Sequence, residues 1–188
     1  MADALLIRKM IVQGTDPHKI ITCATTPPAS IAYQRKLRLW AADCAARSLH
    51  LIGNPEDHDL ACKAIEVARQ FARGMINVEA LAPFDCAPGS GSRFYKDAKR
   101  TAFSVASEVR LAAAMTAQVN VFVGTLAAVT HARRAIANAT WDTTHAPRSE
   151  LDWQIGRLLR WMAETEPVDW ATTNSSCVAV LRRPAELS

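Results

Sequence analysis

The sequence predicts an all-α chain, a compact multi-helix bundle around a central alanine-rich helix. Three features predict it: apolar residues recur every three to four positions along most of the chain, helix-start and helix-stop residues bracket those stretches, and a long alanine-rich segment follows the last strong break. At 188 residues, with 49% hydrophobic and 21% charged residues, the chain fits one globular domain with a sizeable core. The expected division is an N-terminal helical extension over 1–29, a helical domain over 30–163 and a C-terminal tail over 164–188.

The first element, Ala4 to Gln13, is weakly helical, and Gly14 ends it. Asp16-Pro17 starts a second short helix reaching Ala24, because proline suits the first helical position. Thr25-Thr26-Pro27-Pro28 breaks the chain. From Ser30 to Ile52, Tyr33, Leu37, Trp40, Ala41, Cys44, Ser48 and Leu51 recur at helical spacing, with Arg35, Arg38 and Asp43 outside that row. Asn54 then caps a helix, Pro55 opens it, and Glu56 and Asp57 place negative charge in its first turn. Leu60, Ala61, Ala64, Ile65, Ala68, Phe71 and Ala72 form its apolar face, and Gly74 stops it.

Met75 to Ser92 holds Pro83, Pro88, Gly89 and Gly91, which predicts a loop with one short helix near Val78 to Ala82. Arg93 to Ala113 and Met115 to Asn138 follow as two long helices or one kinked helix. The apolar stretch Leu111 to Val129 is interrupted by polar residues, so it is expected as a buried core helix and not a membrane span. After a loop at Thr140 to Pro147, Ser149 and Asp152 resemble a capping box for a helix carrying Leu151, Ile155, Leu158 and Met162. Cys177 to Leu181 is open between a short strand and docked coil.

The net charge of +4 is too small to imply nucleic-acid binding without a concentrated patch, and it argues against an acidic mimic of DNA. Arg93, Lys96, Lys99 and Arg100 form one short basic edge, a candidate partner-binding surface as well as a solvated helix face. Trp161 lies outside the Leu151 to Leu158 stripe, which makes it the interface candidate among the four tryptophans of the last quarter. Five cysteines without a CxxC pair point to free thiols in a cytoplasmic setting, with no cofactor or metal expected. His58 and Cys62 sit one helical turn apart, but two ligands do not make a metal site.

Four segments carry a resemblance: Leu39 to Arg47 (LWAADCAAR), Lys63 to Gly74 (KAIEVARQFARG), the alanine-rich helices ending in Thr130 to Arg133, and Glu150 to Gln154. In order and spacing the chain resembles, from Tyr33 to Met162, the all-helical immunity proteins of bacterial polymorphic-toxin systems. The resemblance implies a non-catalytic, stoichiometric inhibitor that binds a partner toxin, and it carries over no catalytic residue. Trp40, Asp43, Cys44, Arg73 and Gly74, its motif residues, suit helix packing and capping as readily as partner contact. A mobile-element or phage inhibitor of a bacterial defence nuclease complex, a nucleic-acid-binding accessory, and a His58/Cys62 enzyme or metal protein are the competing expectations. A symmetric homodimer stays open.

Overall fold

The computed structural model describes residues 4–26, 30–84, 104–140 and 145–163. Among them are seven α-helices and no strand: α1 (Ala4–Val12), α2 (Pro17–Ala24), α3 (Ile31–Arg47), α4 (Pro55–Ala72), α5 (Val105–Thr116), α6 (Val121–Thr140) and α7 (His145–Ala163). Short 3₁₀ turns cover Leu49–Leu51 and Val78–Leu81. The all-helical expectation holds.

Local chemistry sets most of the boundaries. Asp16 accepts a hydrogen bond from the backbone NH of His18, with Pro17 at the first helical position of α2. Ser30 accepts from the NH of Tyr33 and Asn54 from those of Glu56 and Asp57, satisfying donors that a helix leaves open at its start. At the end of α4 Gly74 adopts φ +74, and the NH groups of Gly74 and Met75 return to the carbonyls of Phe71 and Gln70. That paired closure is the Schellman arrangement, and it needs a residue tolerant of positive φ.

α3 packs against α4, α5, α6 and α7, and α6 against α3, α5 and α7. The hydrophobic core draws on every helix, from Ile7 in α1 and Ile20 and Ile21 in α2 to Trp40, Ile65, Val109, Val129 and Leu158. The Tyr33 hydroxyl donates to the Ala24 carbonyl at 2.9 Å and ties α3 to α2.

Three local expectations are corrected. The stretch Leu111 to Val129 is not one buried helix: α5 stops at Thr116 and α6 starts at Val121, because Asn120 accepts from the NH groups of Phe122 and Val123 as a new cap. Ser149 is not a cap either, since α7 begins at His145 and the Ser149 hydroxyl donates back to the Ala146 carbonyl. Leu60, assigned to the buried face of α4, is 40% exposed. The Cys177 to Leu181 segment lies outside the described residues.

Gly124 shows how closely α6 approaches the end of α5. A Cβ there would lie 2.6 Å from the Met115 carbonyl oxygen and 2.7 Å from the Gln118 Cβ. Gly124→Ala therefore meets backbone and not a movable side-chain tip. It is expected to destabilise the fold by about 1–3 kcal/mol, outweighing the helix propensity that alanine brings, as measured by urea unfolding.

Candidate functional site

The motif residues of α3 converge on buried polar chemistry. Asp43 projects from α3 into the space between α4 and α7, where its Oδ1 accepts from Arg69 Nη2 at 2.9 Å. Its Oδ2 accepts from Arg157 Nε at 2.6 Å and from Trp161 Nε1 at 2.9 Å. The carboxylate and both arginine side chains are largely buried, and the Arg157 guanidinium lies 5.6 Å from the Trp161 ring centroid. One carboxylate thus clamps α3, α4 and α7 with three donors.

One turn earlier, the fully buried Trp40 donates its indole NH to the Gln154 carbonyl of α7 at 2.9 Å. The Gln154 side-chain amide donates to the Val129 carbonyl of α6 and to Glu150 Oε1, both at 3.2 Å. Glu150, its side chain 1% exposed, receives Arg47 Nε on its other oxygen at 2.7 Å, and Arg47 stacks over Trp153. Midway along α3, Arg38 donates to the carbonyls of Thr116, Gln118 and Val119, fastening the α5–α6 turn. On α5, Glu108 accepts from His131 Nδ1 at 2.7 Å and joins α5 to α6.

This geometry corrects three placements. Arg38 and Asp43 fall outside the apolar row of α3 yet are buried, because partners on distant helices complete their hydrogen bonding. Trp161, expected on an interface, is 4% exposed with its NH on Asp43, so it is a core residue. Arg93, Lys96, Lys99 and Arg100 lie outside the described residues.

Burial raises the pKa of Glu150, opposed by its contacts with Arg47 and Gln154. A carboxyl with a raised folded pKa adds nothing to pH dependence below its unfolded value, where both states carry the proton. Above that value the folded state holds the proton longer, so stability falls as pH rises toward the folded pKa. Glu150→Gln removes this titration: the melting temperature of the native chain relative to the variant should drop as pH is raised from about 4 toward neutrality. A pH-independent difference would contradict the burial effect.

Cys44, also fully buried, has its thiol pKa pushed well above the usual range by burial and then by the Glu150 and Asp43 charges. A thiolate is the reactive form. Peptide mapping after iodoacetamide treatment should find Cys44 protected in the native protein and modified after unfolding, while the partly exposed Cys23 reacts in both states.

The residues with enzyme-like spacing form a less complete arrangement. Cys62 Sγ lies 3.7 Å from His58 Nδ1 and 4.0 Å from Nε2, and Asp59 Oδ1 lies 3.8 Å from Nδ1. A nucleophile–base–carboxylate relay sets the thiol in line with one ring nitrogen and the orienting acid on the other, whereas a sulfur nearly equidistant from both nitrogens is in line with neither. Among the described residues no group of three or more His, Cys, Asp and Glu side chains is arranged to hold a metal. A cleft of about 480 Å³ is lined by Arg47, His50, Leu51, Ile136, Ala139 and Thr140. In it Arg47 Nε meets Glu150 and His50 Nδ1 meets the Arg47 carbonyl.

What sequence reasoning misses is that the motif residues are partners of one another. Arg69 lies within the Lys63 to Gly74 segment of the motif, but nothing in the local pattern singles out Arg157. The available signal is the motif itself, which holds Asp43 and Arg69 in two of its segments.

No helix among the described residues is long and apolar enough to cross a membrane. Neither a curated protein nor a solved structure matches the chain. One family does, described as Imm-5 like putative immunity protein, and its match covers residues 29–160, which include Trp40, Asp43, Arg69, Glu150 and Arg157. With more than half of its length inside that match, the chain belongs to the Imm-5 like immunity protein family.

Proposed function

We propose that this protein is a stoichiometric, non-catalytic inhibitor that binds a toxin and neutralises it in the cytoplasm of the cell that makes the toxin. The family match over residues 29–160 carries the reading. The geometry supports it in one respect: the charged motif residues Asp43, Arg69, Arg157 and Glu150 are consumed in holding helices together, which suits a rigid scaffold whose outer surface does the work. A preformed, rigid surface binds with little ordering cost.

The basic edge Arg93, Lys96, Lys99 and Arg100 remains, with this proposal, a candidate part of the partner surface. The test is co-expression of the full chain with each candidate toxin domain drawn from its gene neighbourhood, followed by growth measurement and purification of the complex. Restored growth together with a complex of fixed stoichiometry is the expected result. Growth arrest unaffected by the chain, with no complex recovered, would overturn the proposal.

A further inference from the structure

The fold gives almost every guanidinium it draws inward an oxygen partner. Arg69 and Arg157 meet Asp43, Arg47 meets Glu150, Arg110 meets Asp57, and Arg38 meets backbone carbonyls. Arg133 of α6 is different. It is half-buried, yet its polar contact is with His18 of α2, whose ring nitrogens lie 3.3 and 3.4 Å from Nη1, and Arg134 follows it in sequence. Among the described residues neither Arg133 nor Arg134 has a carboxylate partner. Burial and then the Arg134 charge lower the Arg133 pKa, with no acidic group among the described residues acting in the other direction. Asp16, the nearest acid in sequence to His18, is turned onto the NH of His18 as the cap of α2. The fold therefore tolerates a partly desolvated positive charge that nothing within the described residues neutralises.

That charge stands at one end of a continuous face. Val123 and Leu126 lie on α6, and Thr130 and Arg133/Arg134 follow at intervals of three and four, so these fall on one side of the helix, with Val119 in the turn just before it. Val119 is 55% exposed, Val123 54% and Leu126 41%. Single exposed apolar residues are ordinary on a protein surface, but a row of them ending in uncompensated cations has the composition of an interface with its charge left for a partner to match.

We infer that the outer face of α6, with His18 of α2, is the surface on which the toxin docks, and that the toxin meets it with an apolar patch flanked by carboxylates. This rests on the inhibitor reading above. A carboxylate brought to Arg133 would be held in a partly desolvated, charge-assisted pair, and Val123 and Leu126 would lose their exposure to water.

The experiment measures affinity by calorimetry between the full chain and the toxin domain that the co-expression test identifies, for the native sequence, for R133E/R134E, for V123D/L126D and for R93E/K96E/R100E. Thermal melts of each variant alone confirm folding, and R133Q, which keeps size and removes charge, replaces R133E should the reversal unfold the chain. Both α6 variants should weaken binding about tenfold or more while melting like the native protein, and native affinity should fall as salt is raised. Native-like affinity in both α6 variants, with binding lost in R93E/K96E/R100E, would overturn this inference and leave the inhibitor reading intact. Absence of binding by the native chain would overturn the inhibitor reading and this surface with it. Loss of a dimer of the chain itself in the α6 variants, with toxin affinity unchanged, would reassign the face to a second copy and also overturn the proposal.

Discussion

Asp43→Ala is expected to cost about 3–5 kcal/mol of folding stability, since it removes the acceptor from Arg69, Arg157 and the Trp161 indole at once. Most of that cost comes from what is left behind. Arg69 has a side chain only 6% exposed and cannot turn to water without opening the packing between α3 and α4. Asp43→Asn keeps an oxygen for one donor and should fall between the alanine variant and the native protein. Urea unfolding monitored by tryptophan fluorescence measures both, with Trp161 reporting directly on the site. Replacing the buried charges together, as in D43L/R69M, should be less destabilising than D43A, because fewer uncompensated cations remain opposite the substitution. A D43A variant within about 1 kcal/mol of the native protein would show that the carboxylate does not organise the three helices.

Arg38→Met should be the second most damaging of the changes considered, at about 2–4 kcal/mol. Methionine preserves much of the aliphatic volume beside Phe71, over which the guanidinium now lies at 5.1 Å. It leaves the carbonyls of Thr116 and Gln118 without their charged donor at the point where α5 ends. The loss is also local, so hydrogen exchange should accelerate first in the α5–α6 turn, residues 117–120, before the rest of α6 opens. Uniform acceleration across all helices would mean that Arg38 acts on global stability alone. Arg38→Lys keeps the charge but not the fork of donors, and is expected to recover only part of the stability.

These two residues mark the limit of sequence reasoning. Arg38 and Asp43 fall outside the apolar row of α3, and the ordinary inference for a charged residue off the stripe is a solvated position. In the folded chain α3 is surrounded by four helices, so it has little solvated side to offer. Hydrophobic spacing tells which side of a helix faces the core when one side faces water. It fails for a helix that is enclosed. Trp161 is misplaced for a different reason: three positions after Leu158 it continues the stripe of α7 and lies inside, where Asp43 accepts its NH.

The apolar run through Val129 shows the complementary failure. Its hydrophobicity conceals Asn120, whose side chain caps α6 and splits the run into two helices, and Val119, Val123 and Leu126 then face outward. A cap flanked by valines is hard to distinguish from a polar interruption in a single helix. At Ser149 the opposite holds: a plausible capping pattern lies inside a helix that has already started at His145.

What the sequence determined by itself is what depends on close neighbours along the chain. The helical class, the Asp16-Pro17 and Asn54-Pro55 starts, the Gly74 stop and the proximity of His58 to Cys62 all follow from contacts that span little more than one helical turn. The family motif was legible too, as a string of residues in α3 and α4. The tertiary structure alone decided what the motif does: Asp43 meets Arg69 across 26 positions and Trp161 across 118, and Trp40 meets Gln154 across 114. Such pairings bring a buried charge to its partner only after several helices have packed, so their identity resides in the three-dimensional arrangement and not in any local pattern.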